Sequence, residues 1–235
     1  MEKNKLSKIK DFIRNNINLS KIKDFIRNNI NPYNFDTFLR KLPNDSTILD
    51  VGCGNNSPRR VKKILPHSYY IGIDIQNYNQ QSAELADEYH IVDKSKFNKK
   101  ISSFKNIDVV ISYHNLEHVD NRAVTFKAMR DCLKKKGIIY LVTPSEKSIY
   151  FPSRKGTLNY FDDSTHKENP VSFNWILEEL KNDKFQIIKS IKAYKPIFYY
   201  MIGLLKEFTT PKVTDFYAWC FYGFESIVIT KKIND

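Results

Sequence analysis

The sequence predicts an α/β fold in which helices cover both faces of a doubly wound, mostly parallel sheet of seven strands. Short apolar runs typical of buried strands alternate with helical segments along the chain. The first run, Thr47–Val51, leads directly into a glycine-rich turn, Gly52-Cys53-Gly54. A strand followed by such a turn is typical of α/β domains that bind a nucleotide, because glycine lets ligand and backbone approach closely.

The chain begins with a tandem repeat in which residues 6–18 and 19–31 both read LSKIKDFIRNNIN. Each copy has amphipathic helical spacing, which predicts an N-terminal helical arm over 1–43 and a main domain over 44–235. In one continuous helix the second apolar stripe would be turned by about 220° relative to the first. The copies are therefore two short helices or one helix with two partners. A recent duplication is favoured over a basic arm for a membrane or a partner.

The remaining elements follow from apolar runs and turn residues. Helices are predicted at Pro32–Pro43, Arg59–Leu65, Arg122–Lys135 (capped by Gly137) and Asn174–Lys181, and strands at Tyr69–Ile75, His90–Val92, Ile107–Ser112, Ile138–Thr143, Phe185–Ile191 and Phe224–Lys231. Asp74 ends the second strand and Asp93 follows the third. An acid at the tip of the second strand can accept hydrogen bonds from both ribose hydroxyls, so Asp74 predicts a nucleoside ligand.

Composition limits the class of protein. The net charge is +12 at pH 7, but the basic residues are spread along the whole chain, so we expect no nucleic-acid partner. The three cysteines, Cys53, Cys132 and Cys220, form neither a disulfide framework nor a metal-ligand pair, which is typical of a reducing cytoplasm. The longest apolar run, Ile197–Leu205, is too short to cross a membrane. We expect a cytoplasmic protein without a transmembrane segment.

The turn reads D-x-G-x-G, with Asp50 two residues before Gly52. This pattern, followed by the two strand-tip acids, resembles the class I S-adenosylmethionine (SAM) methyltransferases and their Rossmann-like sheet, in which the last strand is antiparallel. Asn56 replaces the family's third glycine, and asparagine is one of the few residues that tolerate a left-handed backbone. The resemblance implies SAM as cofactor. It implies cofactor-binding roles for Asp50, Gly52, Cys53, Gly54, Asp74, Ile75, Asp93 and Ser112.

The segment after the fourth strand, YHNLEHV, resembles small-molecule members of this class and lies at the ligand edge of the sheet. The motifs that mark enzymes acting on nucleic-acid bases or on protein side chains are missing. A hydroxyl acceptor needs its proton removed, and histidine is best suited to this near neutral pH. His114 and His166 are the predicted bases, and His118 is a third candidate that could instead brace the loop.

A polar segment over Phe151–Lys167 is predicted to cover the substrate. The predicted substrate-binding residues are Tyr113, His114, Arg154, Asn159, Tyr160, Asp163 and His166. We expect no metal site. The alternative is a divalent ion held by Asp162, Asp163 and His166.

About thirty residues, 193–222, precede the last strand and are rich in aromatic side chains. They predict a pocket lid or a homodimer face. The strings FPSRKGTLNYFDDSTH and YGFESIVITKK resemble bacterial methyltransferases associated with surface-polysaccharide biosynthesis. This implies O-methylation of a sugar or sugar-linked phosphoryl group in a capsule or lipopolysaccharide precursor. The alternatives are an N-methyltransferase on a small amine or RNA, and a catalytically silent SAM-binding partner subunit.

Overall fold

The computed structural model describes residues 31–166, 168–209 and 213–233. The helices are α1 (Phe35–Leu39), α2 (Ser57–Ile64), α3 (Phe97–Ser103), α4 (Arg122–Asp131), α5 (Phe173–Asn182), α6 (Ile197–Thr209) and α7 (Phe216–Tyr222). The strands are β1 (Thr47–Val51), β2 (Tyr69–Asp74), β3 (Glu88–Ile91), β4 (Ile107–Tyr113), β5 (Leu133–Pro144), β6 (Phe185–Ile191) and β7 (Glu225–Lys232). Within these described ranges no helix is long and apolar enough to cross a membrane.

The seven strands form one sheet in the order β3-β2-β1-β4-β5-β7-β6. The first five strands are parallel to one another, and β7 runs antiparallel to both β5 and β6. The predicted doubly wound sheet and its antiparallel last strand are therefore confirmed. The order reverses direction between β1 and β4, and ligands of such sheets bind at this switch point, beyond the carboxyl ends of the strands.

The register of the central strands determines which residues reach that edge. Asp50 of β1 pairs with Gly72 of β2 on one side and with Ile111 of β4 on the other. The residues that follow these partners, Asp74 and Ser112, therefore lie at the carboxyl edge together with the glycine turn. The central strands are covered on both faces, which is why Leu49, Val51, Val110 and Ile111 are all fully buried.

Some of the sequence-based boundaries are wrong. The helix predicted over Pro32–Pro43 covers only Phe35–Leu39. The helix predicted over 122–135 ends at Asp131, and β5 already begins at Leu133, which pairs with Ile107. Gly137 is consequently inside the strand and does not cap the helix. A side chain there would lie 2.9 Å from the Lys134 carbonyl oxygen, so this irregular part of β5 requires glycine. The charged run KKKG reads as a helix end but belongs to a strand.

Helix α3 is not predicted from the sequence, because only Phe97 and Ile101 of its seven residues are buried. The aromatic segment before β7 forms the helices α6 and α7. A side chain at Gly203 would lie 2.3 Å from the Tyr217 carbonyl oxygen, so this glycine allows the two helices to pack closely. Part of the apolar surface remains open, since Phe208 is 81 % exposed.

The chain divides into two compact units between Lys41 and Leu42. In the first unit the structure describes residues 31–41, which contain α1. Asn34 caps this helix by accepting a hydrogen bond from the Thr37 backbone N–H at 2.8 Å. Apart from Asn31, the predicted repeat helices lie outside the described residues.

Candidate functional site

The glycine turn after β1 adopts left-handed backbone conformations at Gly52 (φ 77°) and Gly54 (φ 58°). The Gly52 N–H donates to the Ile73 carbonyl at 2.9 Å, which holds the turn against β2. A side chain at Gly52 would meet the Asn115 side chain at 2.4 Å, so this glycine admits the loop after β4. At Gly54 a Cβ would meet no described atom within 4 Å. The second glycine therefore faces open space, which suits a ligand lying against the turn.

Asn56, at the position of the family's third glycine, does not adopt a left-handed backbone conformation. Asn56 has φ −136° and begins α2 as its N-cap residue, with Pro58 in the first turn. The expectation that asparagine replaces glycine here because it tolerates a left-handed backbone is therefore wrong. Most residues can adopt this conformation.

Asp50 is buried behind the turn. Its Oδ2 accepts hydrogen bonds from the Tyr70 hydroxyl at 2.8 Å and from the Ser57 hydroxyl. Burial raises the pKa of Asp50 to about 6, and the two hydroxyl donors counteract part of this rise. The acid thus connects β1 to β2 and to the start of α2.

Asp74 fastens the turn from the other side. Its Oδ2 accepts from the Gly54 N–H at 2.9 Å, and its Oδ1 accepts from the Ile75 N–H at 2.7 Å. Burial raises the pKa of this carboxyl, and the backbone donors oppose the rise. Each carboxylate oxygen can accept a further hydrogen bond, so Asp74 can bind ribose hydroxyls while it supports Gly54.

Asp93 and Ser112 complete the predicted cofactor side. Asp93 is exposed, and its Oδ1 accepts from the Ser95 N–H at 2.9 Å; the hydrogen bonds from Ser95 lower its pKa. The Ser112 hydroxyl and the Asn115 Nδ2 are buried and lack a hydrogen-bond partner among the described residues. Buried polar atoms are normally paired, so two unpaired atoms beside an open turn fit a polar ligand such as SAM.

His114 is held between two carboxylates. Its Nδ1 lies 3.1 Å from Glu117 Oε1, and its Nε2 lies 3.2 Å from Glu225 Oε1. The Tyr113 hydroxyl donates to the same Glu225 oxygen. Burial alone would lower the pKa of His114, but the two carboxylates prevail and raise it to about 9. The ring is therefore an imidazolium at neutral pH. To act as a base it would have to lose a proton and one carboxylate partner.

The other two candidate histidines stack on each other. The rings of His118 and His166 have centroids 4.6 Å apart, and Tyr160 stacks on the far face of His166 at 3.9 Å. His118 lies near the cofactor side, because the charged form of its ring would be among the smaller contributions that lower the pKa of Asp74. Burial lowers the pKa of His118 itself. The structure thus brings together two predicted catalytic residues, His118 and His166, with Tyr160, which like His166 is also predicted to bind the substrate.

Glu117 joins this group, although no role was predicted for it from the sequence. Its Oε2 is buried and has no hydrogen-bond partner among the described residues. One ligand-type atom of each of Glu117, His118 and His166 lies within 4.8 Å of those of the other two. The adjacent letters E and H in LEHV were the available signal, but only the fold shows that their side chains converge with His166.

The segment from Phe151 to His166 is organised by Asp162. Its Oδ2 accepts from the backbone N–H groups of Arg154 at 3.1 Å and Asn159 at 2.9 Å. These bonds are among the causes that keep the pKa of Asp162 below its usual value despite partial burial. The carboxylate is therefore occupied by its own loop, which makes the triplet Asp162, Asp163 and His166 a poor metal site. Asp163 in turn accepts from the Thr165 N–H at 2.8 Å.

Arg154 and Asn159 also support the loop. Arg154 makes a two-pronged ion pair with Glu207 of α6 and donates to the Tyr222 hydroxyl at 3.2 Å. Asn159 Nδ2 donates to the Phe151 carbonyl at 2.7 Å. An anionic substrate would have to compete with Glu207 for Arg154. Glu207 lies in the insertion, far along the chain, and no local motif pairs it with Arg154.

Comparisons with known proteins agree with this geometry. The family model described as "Methyltransferase domain" matches residues 25–183. The search of curated protein sequences gave no match.

Solved structures share the fold at low sequence identity. A Haloferax volcanii structure, described as a complex of the Trm112 methyltransferase activator and the putative methyltransferase, matches with TM-score 0.62 and 13 % identity, covering 92 % of this chain and 96 % of that one. A SAM-dependent methyltransferase from Mesorhizobium loti gives 0.56, 16 % identity, and 83 % and 96 % coverage. The plantazolicin methyltransferase BpumL in complex with SAH (S-adenosylhomocysteine) gives 0.56, 19 % identity, and 92 % and 90 % coverage. The chain belongs to the methyltransferase-domain family and is a SAM-dependent methyltransferase.

Proposed function

We propose that this enzyme methylates a hydroxyl group of a small polar acceptor, a sugar or a sugar-linked phosphoryl compound of surface-polysaccharide biosynthesis. The observation that carries the hydroxyl assignment is the group of His118, His166 and Glu117 at the carboxyl edge of the sheet, next to the turn that fits the cofactor. The carbohydrate assignment rests on the resemblance of the segment after Phe151 and of the last strand.

SAM supplies an activated methyl group on its sulfonium when it is bound. The protein must then hold the acceptor in line and assist the loss of its proton. Asp74 is assigned to the ribose hydroxyls, Asp93 to the adenine side, and Asp50 to the part of the turn that faces the methionine portion. Ser112 and Asn115 offer their unpaired polar atoms to the ligands.

Removal of the acceptor's proton is assigned to the site formed by the His118–His166 pair rather than to His114. Each of the two stacked rings has its Nδ1 engaged, His118 with the Thr165 hydroxyl at 2.8 Å and His166 with the Tyr160 carbonyl at 2.5 Å. A carbonyl only accepts, so His166 carries its proton on Nδ1 and keeps a lone pair on Nε2. His114, an imidazolium between Glu117 and Glu225, acts instead as a fixed positive charge that orients both carboxylates.

The same pairing favours a hydroxyl over an amine acceptor. A cationic amine is best recognised by carboxylates that lack another partner. Glu225 is already shared by Tyr113 and His114, and Glu117 has one oxygen bound to His114, so an amine would find only the single oxygen Glu117 Oε2 and no complete free carboxylate. RNA as an acceptor would need a continuous basic strip at the site, whereas two carboxylates, Glu117 and Glu225, lie beside the histidines.

We assign a lid role to the helices α6 and α7. The Arg154–Glu207 ion pair and the hydrogen bond from Trp219 Nε1 to the Thr157 carbonyl, at 3.0 Å, connect these helices to the loop that carries His166. Movement of the helices would therefore move the loop. The homodimer face remains the alternative use of the exposed side chains of α6.

Incubation with SAM and a panel of nucleotide-sugars, polysaccharide fragments, small amines and RNA tests this function by mass spectrometry. We expect a product carrying one additional CH₂ unit in the carbohydrate arm alone, and much less of it with Asp74→Ala. Methylation of an amine or of RNA would contradict the proposal. Tight binding of SAM without methylation of any acceptor would favour the silent partner subunit.

A further inference from the structure

We propose that Glu117, His118 and His166 form a binding site for one divalent first-row transition-metal ion. The three side chains come from the loop after β4 and from the segment that precedes α5, and their ligand-type atoms lie within 4.8 Å of one another. Ligand atoms that lie about 2.0–2.2 Å from a zinc ion are roughly 3–3.5 Å from one another. Binding of an ion therefore requires the three side chains to move closer together by about 1 Å. Rotation of the side chains alone can supply such shifts.

The hydrogen bonds around the cluster leave the right atoms available. Thr165 Oγ1 donates to Asp163 Oδ1 at 2.6 Å, because a carboxylate can only accept. The hydroxyl oxygen then accepts from His118 Nδ1, at 2.8 Å, so that ring keeps its lone pair on Nε2. His166 is fixed in the same tautomer by the Tyr160 carbonyl. Within the described residues neither Nε2 has a hydrogen-bond partner.

The two oxygens of the Glu117 carboxylate also differ in their hydrogen bonding. Glu117 Oε1 is fixed by His114 Nδ1 at 3.1 Å, while the buried Oε2 has no partner among the described residues. A buried carboxylate oxygen without a partner is costly, and it calls for a cation or a donor that the protein does not provide. Each of the three ligands is thus held on one atom and open on the other. This is the usual arrangement of ligands and their outer partners in protein metal sites.

The donor set indicates which ion would bind. Two imidazoles and one carboxylate suit Zn²⁺, Mn²⁺, Co²⁺ or Fe²⁺, whereas Mg²⁺ prefers oxygen ligands and retains its water. Three protein ligands leave coordination positions open for an acceptor oxygen. The role we assign to the ion, lowering the pKa of the acceptor hydroxyl, rests on the proposed function; the binding itself rests on the cluster alone. With the ion bound, His118 and His166 act through it and not as free bases.

Titration of untagged, chelator-treated protein with Zn²⁺, Mn²⁺ and Mg²⁺, followed by calorimetry, tests the site. We expect one equivalent of Zn²⁺ to bind, with Mn²⁺ weaker and Mg²⁺ weakest. Glu117→Gln, His118→Ala and His166→Ala should each weaken Zn²⁺ by at least about 100-fold, more than the loss of an outer partner usually costs. Thr165→Val should weaken it by about 10- to 100-fold.

Two histidines outside the cluster provide matched controls. His67 is exposed and His90 pairs with Glu88 at 2.7 Å on β3, so His67→Ala and His90→Ala should leave Zn²⁺ affinity unchanged. SAH affinity and circular dichroism establish that each variant is folded. Wild-type protein that binds Zn²⁺ no more tightly than the His118→Ala/His166→Ala double variant would overturn the inference. If Zn²⁺ binds as expected but no hydroxyl is methylated, the proposed function fails and the metal site stands.

Discussion

Replacement of Asp74 by alanine should weaken SAH binding by about 1–3 kcal/mol, or roughly 5- to 150-fold. The carboxylate accepts from the Gly54 and Ile75 N–H groups at 2.9 and 2.7 Å, and we assign its remaining lone pairs to the ribose. Alanine leaves these donors unpaired and releases Gly54, whose left-handed backbone shapes the turn. The affinity should fall both from lost contacts with the ligand and from the loosened turn.

Calorimetric titration of SAH into the purified variants measures this effect, and Asp87→Ala is the matched control. Asp87 accepts from the Tyr70 N–H at 2.7 Å near the opposite end of β2, and it pairs with Lys62. Its removal should lower the midpoint of thermal unfolding without changing SAH affinity. The reasoning is refuted if folded Asp74→Ala binds SAH as tightly as the wild type, or if Asp87→Ala loses as much affinity.

Three further predictions concern the rest of the molecule. The pKa of His114 is raised from 6.5 to about 9, so its ion pairs stabilise the fold fully below pH 6.5, and this contribution is lost as the pH rises through 9. In urea titrations, the difference in unfolding free energy between wild type and His114→Asn should therefore shrink by about 3 kcal/mol from pH 6 to pH 10. A constant difference would contradict the ion pairs. Arg154→Lys should lower turnover more than SAH affinity, because lysine cannot replace the two-pronged pair with Glu207, and an unchanged turnover argues against the lid. Deletion of residues 1–18 should leave SAH affinity and the unfolding midpoint unchanged, whereas a large drop in the midpoint would place the first repeat copy in a core or an oligomer contact.

The fold was largely predictable because its determinants are local. Strands β1, β2 and β4 are mainly apolar runs; a glycine turn marks the end of β1, and Asp74 marks the end of β2. The errors arose where local signals were weak or conflicting. Helix α3 buries two side chains and has no clear stripe, and the KKKG run looks polar although it lies in β5 next to Ile107.

The site was only partly predictable, because side-chain partners come from distant parts of the chain. Glu225 binds His114 across more than a hundred residues, and this contact changes His114 from a free base into a paired cation. Arg154 similarly depends on Glu207. Glu117 was visible in the sequence, but its unpaired oxygen and its proximity to His166 arise only from the packing of two loops.

On this assignment, cofactor binding and acceptor chemistry depend on different residues at the carboxyl edge of the sheet. Measuring both methyl transfer and SAH affinity of the His118→Ala/His166→Ala double variant tests this separation. The assay uses the acceptor identified in the mass-spectrometric panel and SAM at saturating concentration. We predict a loss of turnover of about 10²- to 10⁴-fold, with SAH affinity within about twofold of the wild type. Full turnover in the double variant, or a parallel loss of SAH affinity, would contradict the assignment of these histidines to the acceptor.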